Sequence, residues 1–412
     1  MKDFPFIRLF LGLSASAFLV TMLGAAATRP EVSPVAPLAN QTVYYPGTEA
    51  LGPDEMRVVA CGTGQPSIRP KQAAACWLVE LGNGDKFLFD IGAQSMTRIS
   101  AMKIPMDFLD KVFIGHLHMD HIGDLATLWI GGLKANRTYP LRIWGPSGAT
   151  PELGTKVAVE HMEKMYAWEI ASIAGKVDHR GLQLKVTEFN PEGVNQVIYQ
   201  ENDVTIRSLP AIHIMDGAVS FVLEWNGLKF AFSSDTSPNK WWIEHTKGVD
   251  IAVHESFATP QVMIDKQNYP VGFALALSTL AHTSPIQFGK IMSLTQPRVA
   301  VGYHFYNDHD TLPGQIEEIR RVYEGPLAMA TDYMVFNVTK DDIRIRMAAI
   351  DEDIWPLPAT RPEEPDPDQK GGSMSDFIKS GDYFMEEELR QIWDEVNRNN
   401  GTDVQLPSSS VF

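Results

Sequence analysis

An apolar strand that ends in imidazoles sets the first limit on this chain. Residues 110–115 (DKVFIG) run straight into His116-Leu117-His118-Met119-Asp120-His121. In extended chain His116 and His118 point the same way, and a turn after them carries Asp120 and His121 round to a second locus. Imidazole and carboxylate suit Zn²⁺ and similar first-row ions. Solubility alone gives no reason to end an apolar run this way. The chain has 2 cysteines among 412 residues, too few for a four-cysteine zinc module, so any metal must be held by His, Asp or Glu. Cys61 and Cys76 are either bonded or two buried thiols, because a sequence does not supply the Cα separation a disulfide needs.

Apolar runs of strand character recur on both sides of the motif, at 56–64, 74–92, 141–144, 204–212, 218–234, 249–255 and 298–305. Helical patterns lie between them at 151–170, 238–247, 285–294 and 313–323. The alternation predicts a layered α/β domain over residues 51–350. Before it, Lys2 and Arg8 precede an uncharged stretch from Leu9 to Thr28 that ends in Ala25-Ala26-Ala27. Residues 1–27 therefore read as a signal peptide cleaved near Ala27, with an uncleaved anchor as the alternative. The expectation is a periplasmic or secreted protein with no lasting membrane anchor. Residues 28–50 read as a linker. Residues 351–412 read as a Pro-rich acidic linker followed by a helix whose Met385, Leu389, Ile392, Trp393 and Val396 share one face. That stripe is expected to dock on its own domain.

The stretch His116–His121 reproduces unchanged the HxHxDH signature of the metallo-β-lactamase fold superfamily, which the sequence resembles over most of residues 57–306. The resemblance implies an α/β fold of the αββα sandwich type and directs the search for further ligands to the ends of later strands. By that resemblance His116, His118 and His213 hold one metal, Asp120, His121 and His304 hold a second, and Asp235 bridges them. The implied cofactor is two Zn²⁺, with Mn or Fe as alternatives. His254-Glu255-Ser256-Phe257 and His282-Thr283-Ser284 resemble the two loops that ribonuclease Z and the metallo-type arylsulfatases place over the metal pair. There a glutamate and a histidine form a proton shuttle, which carries over to Glu255 and His282; His254 reads equally well as a packed histidine. Cys61-Gly62-Thr63-Gly64 with Pro66-Ser67 looks like the opening of the same branch. The resemblance is greatest to the hydrolase group encoded with guanitoxin biosynthesis, a label that implies no particular reaction.

Such a site implies hydrolysis, with Asp120 orienting the attacking hydroxide and His282, steered by Glu255, protonating the departing alkoxide or phenoxide. The expected function is an exported dinuclear zinc hydrolase of a small aryl sulfate or phosphate ester. The alternatives are a tRNA 3′-processing nuclease of the ribonuclease Z type, a lactonase, or a non-hydrolytic metal-binding or redox member of the fold. The full set of seven ligands argues against the last. The excess of 51 acidic over 35 basic residues disfavours a phosphate-neutralising nucleic-acid binder, although the acidity sits largely in the tail. Bacterial ribonuclease Z inserts a tRNA-gripping arm between the third metal histidine and the bridging aspartate. Here the stretch from His213 to Asp235 reads as a hairpin turning at Asn226-Gly227, which leaves no room for an arm. A small-molecule ester is thus the expected partner and no nucleic acid is; a homodimer is one option for assembly. Arg69, Lys71, Lys134 and Lys240 are candidate anion-binding cations that the sequence does not place.

Overall fold

The computed structural model describes residues 42–135, 137–355, 357 and 372–408. The proposed signal segment, most of the linker after it and residues 356 and 358–371 of the Pro-rich stretch lie outside the described residues. Among the described residues two sheets form. The first runs in the order β1 (Val43–Tyr44), β16 (Ile343–Ala348), β15 (Met334–Val338), β2 (Met56–Gly62), β3 (Cys76–Leu81), β4 (Lys86–Phe89), β5 (Lys111–Phe113), β6 (Leu141–Pro146) and β7 (Leu184–Phe189). The second runs β14 (Leu327–Met329), β13 (Val299–Tyr303), β12 (Ile251–Glu255), β11 (Leu228–Phe232), β10 (Val219–Trp225), β9 (Val204–Pro210) and β8 (Gln196–Glu201).

Side-chain alternation shows how the sheets stack. In β2 and β3, Val58, Ala60, Trp77 and Val79 join the core between the sheets, whereas Val59, Cys61, Cys76 and Leu78 join the core beneath the helices. Strands covered on both faces have no polar side, which is why they read as continuous apolar runs. Phe89 of β4 packs within 5.2 to 6.2 Å, ring to ring, of Phe113, Phe221, Phe230 and Phe232, tying the sheets together. Helices Ser95–Ala101, Leu125–Lys134 and Thr155–Met165 cover the first sheet through Ile99, Trp129 and Val159. Helices Lys240–His245, Pro285–Thr295 and Leu312–Arg320 cover the second through Trp242, Phe288 and Ile319. The result is the αββα sandwich the motif implied.

Cys61 and Cys76 are bonded, their Cα atoms 5.0 Å apart on neighbouring strands. The chain comes unusually close there: a Cβ on Gly62 would lie 1.7 Å from the Ala74 carbonyl oxygen.

The structure departs from the sequence reading in two places. Val43 and Tyr44, assigned to a linker, pair with Met347 and Ala348 as an edge strand. A β-branched residue beside an aromatic favours that conformation, and Tyr44 is buried with its hydroxyl accepting from Arg57 Nη1 at 3.0 Å. The C-terminal helix forms as Glu386–Asn400, but none of its residues is buried, and Ile392 and Val396 are 57% and 52% exposed. Among the described residues nothing buries the stripe, of which Leu389 and Trp393 are half-buried. Local terms hold it instead: an Arg390–Glu386 pair one turn apart and a left-handed Gly401 at its end.

The disulfide joins residues 15 apart, and closing a loop of that length restricts the unfolded chain by about 3 kcal/mol. Reduction, or the double change Cys61→Ser and Cys76→Ser, should lower unfolding stability by about that amount. A urea midpoint insensitive to reductant would contradict it.

Candidate metal centre

Five strands end at one edge of the sandwich, and each delivers a functional side chain there. His116 follows β5, His213 follows β9, Asp235 follows β11, Glu255 closes β12 and His304 follows β13. The short helix Met119–Ile122 carries Asp120 and His121. The seven ligands that the resemblance named come together in two sets, His116, His118, His213 and Asp235, and Asp120, His121, His304 and Asp235. All are buried except His118, so the centre opens on the His118 side.

The two oxygens of Asp235 face different sets. Oδ1 lies 3.3 Å from His121 Nε2 and 3.4 Å from His304 Nε2. Oδ2 lies 3.9 Å from His116 Nε2 and 3.8 Å from His213 Nε2. Asp120 Oδ2 closes the second set at 3.4 Å from His121 Nε2 and 3.1 Å from His304 Nε2. His118 closes the first through Nδ1, 2.9 Å from His116 Nε2 and 3.3 Å from His213 Nε2. Ligand atoms about 2.1 Å from a tetrahedral ion stand about 3.4 Å from one another. Both sets have that size. Asp235 Oδ1 and His121 Nε2 are moreover buried with no hydrogen-bond partner, the state of atoms that await a cation. The residues present fit a pair of metal ions.

The partners behind the ligands fix which nitrogen turns inward. His121 donates from Nδ1 to Asp90 Oδ2 at 2.6 Å, and Asp90 Oδ1 accepts from the Gly115 amide at 2.7 Å. His213 donates from Nδ1 to the Ala281 carbonyl at 3.1 Å. Ser234 donates to Asp90 Oδ2 at 2.9 Å and stands 3.2 Å from His116 Nδ1. Such contacts set the ligand tautomer and ring orientation. Asp90, Ser234 and His304 all have left-handed backbone, at φ 56, 50 and 66, so strain gathers around the centre. Sequence reading missed Asp90 and Ser234. Asp90 ends the apolar run KFLFD, the same sign that marked the ligands.

Burial opposes charge on His121, but Asp235, Asp120 and Asp90 surround it and hold its pKa well above the usual value. The pocket calls for positive charge. Burial lowers His116 well below its ordinary range and His213 to about 4, keeping those rings neutral as ligands must be. Burial raises the Asp120 carboxyl, but the His121 charge overrides it, and the group stays ionised.

Glu255 and His282 stand beside the ligands, His282 Nδ1 lying 2.8 Å from Glu255 Oε2, while Oε1 accepts from the Thr236 amide. Burial, reinforced by Asp235, raises the Glu255 carboxyl well above its usual range. The His282 ring lies flat on Phe257, centroids 4.0 Å apart and planes at 9°. Burial lowers its pKa. His254 points elsewhere: it is fully buried edge-on to Trp242 and near Phe288, a packed histidine. His161, His179 and His309 are exposed. None of the four candidate cations is a free anion site. Arg69 and Lys71 pair with Asp308, Lys134 pairs with Glu169, and Lys240 lies over the Trp241 ring at 5.3 Å.

Fold and site define a metal-dependent hydrolase of the metallo-β-lactamase fold, on its ribonuclease Z-like branch. Residues 56–262, half of the chain, match the profile of the Anti-Pycsar protein Apyc1 family, and the chain belongs to that family. Among curated relatives, Ribonuclease Z of Mycolicibacterium gilvum is 28% identical over 204 residues, covering 48% of this chain and 68% of that protein. Ribonuclease Z of Ignicoccus hospitalis is 23% identical over 292 residues, covering 65% and 93%. The metallo-β-lactamase fold protein YhfI of Bacillus subtilis superposes with a TM-score of 0.52 at 18% identity, over 69% of this chain and all of that one. The short form of human tRNase Z superposes with 0.51 at 17% identity, over 68% and 98%. At these identities the structures speak for the fold alone.

Elemental analysis of gently purified protein should find two metal equivalents per chain. Asp235→Ala should remove both, and Asp120→Ala or His304→Ala one. A single equivalent that persists with added zinc and survives Asp120→Ala would remove the second site.

Proposed function

We propose that the chain hydrolyses small phosphate diesters with two zinc ions held by the seven side chains above. The supporting observation is the pair of ligand sets joined by Asp235, with the Glu255–His282 pair alongside. Two such ions, when bound, would supply a nucleophile at neutral pH by lowering the pKa of water towards about 7, and would offset charge on the ester oxygens. The chain supplies the rest. Asp120, held ionised, accepts a hydrogen bond from the attacking water. His282, its Nδ1 engaged by Glu255 and its ring held on Phe257, keeps Nε2 for the proton that the leaving oxygen needs.

A phosphate diester rather than a lactone is favoured because the curated relatives bear the name Ribonuclease Z. A small diester rather than a folded RNA is favoured by β10 and β11. They pair as a tight hairpin that fills the stretch between His213 and Asp235, leaving no arm there. We also propose export after cleavage near Ala27, on the strength of the N-terminal pattern.

Assay of the purified protein against phosphate diesters, aryl sulfates, lactones and a precursor tRNA tests this reading. A diester should be the best substrate, with turnover lost in Asp120→Ala. His282→Ala should lower kcat by about 10² to 10⁴ with metal content unchanged. Efficient 3′ cleavage of the precursor tRNA, abolished by Asp120→Ala, would overturn the choice. Mass spectrometry of the exported fraction should find a mature N-terminus near Thr28, whereas an intact Met1 chain in the cytosol would refute export.

A further inference from the structure

Two cavities meet at His213. One, of about 930 Å³, is lined by Trp241, Phe273, Leu277 and Leu280 together with Ile212 and Ile214. The second, of about 300 Å³, lies against His116, His118 and His213. They share the loop 214–217 as a common wall.

The segment that leads to the proton donor lines the larger one. Leu280 and Ala281 line that cavity and directly precede His282 in the chain, and the His282 and His213 rings are 4.9 Å apart. A leaving oxygen must meet its proton donor. The leaving alcohol therefore belongs in the larger cavity and the retained phosphate substituent in the smaller one.

The lining then describes the alcohol. Phe273 and Leu280 are 53% and 73% exposed, apolar side chains held open beside a buried polar centre. No Lys or Arg is among the described residues that line the cavity, whereas Glu192 is, with Asp216 on the wall shared with the smaller cavity. Aromatic faces and carboxylates receive cations and repel anions.

We infer that the larger cavity takes the leaving alcohol, and that this alcohol is aromatic or otherwise bulky and apolar, and neutral or cationic rather than anionic. This rests on the hydrolase reading above. In the reaction a water oxygen bonds to phosphorus and the bond from phosphorus to the alcohol oxygen breaks. That oxygen takes a proton from His282, which is made good by a proton of the attacking water, so diester and water give monoester and alcohol.

The test uses two methyl aryl phosphates that differ only in the leaving group, 4-(aminomethyl)phenyl methyl phosphate and 4-carboxyphenyl methyl phosphate. The metal-loaded protein should favour the first by about tenfold or more in kcat/KM. Glu192→Gln with Asp216→Asn should shrink that ratio towards unity, while leaving metal content intact. Trp241→Ala and Phe273→Ala should each raise KM for both esters by about tenfold, with circular dichroism and metal content unchanged. Cleavage of both esters without preference, or a preference indifferent to the charge changes, would overturn this inference and leave the hydrolase reading standing. Failure to cleave any diester would overturn both. Unchanged KM in Trp241→Ala and Phe273→Ala, together with a smaller particle on size exclusion, would assign the apolar wall to a subunit contact.

Discussion

A single buried carboxylate joins everything at the edge of this sandwich. Asp235 turns one oxygen to His121 and His304 and the other to His116 and His213, so its position fixes the distance between the two ligand sets. It has that position because β11 pairs in parallel with β12 and antiparallel with β10, while Ser234 beside it lies against Gly115 at the end of β5 in the other sheet. Buried ionised carboxylates without compensation are costly. Asp90, Asp120 and Asp235 around one imidazole are therefore tolerable only where positive charge gathers, on the His121 ring or on a cation that the site would hold.

Much of the architecture was legible because both faces of the strands are covered. Continuous apolar runs marked β2, β3, β9, β10, β11, β12 and β13, and each functional residue was visible as a polar interruption at the end of such a run. The resemblance carried by residues 116–121 then paired His213, Asp235 and His304 with them, and the structure brings all seven together. What stayed hidden depends on backbone geometry or on the three-dimensional surroundings of a side chain. Ser234 and Asp90 matter through left-handed backbone and contacts to residues more than twenty positions away, which no local pattern records. The state of Cys61 and Cys76 turned on a Cα separation. His254 turned on whether Trp242 and Phe288 enclose it.

The edge strand at Val43–Tyr44 and the expected docking of the C-terminal helix depart from the sequence reading for opposite reasons. Two residues are too short a run to announce a strand, yet β16 offers an open edge and Arg57 a partner for the tyrosine hydroxyl. The helix has a persuasive apolar stripe, but a stripe shows only that a face is able to bury itself. Three glutamates in its first turn and a capped, internally paired helix let it form although nothing among the described residues buries that stripe.

The ligands are spread from His116 to His304, across segments belonging to both sheets. No contiguous fragment of the chain shorter than that span owns a complete pair of sets. The centre is therefore a late product of folding: a chain growing from its N-terminus passes the HxHxDH turn long before Asp235 and His304 exist to meet it. Ion capture of the native kind waits until the two halves of the sandwich have closed on each other. Metal held there would couple its own release to the opening of the sandwich, and so would act as a latch on the whole fold.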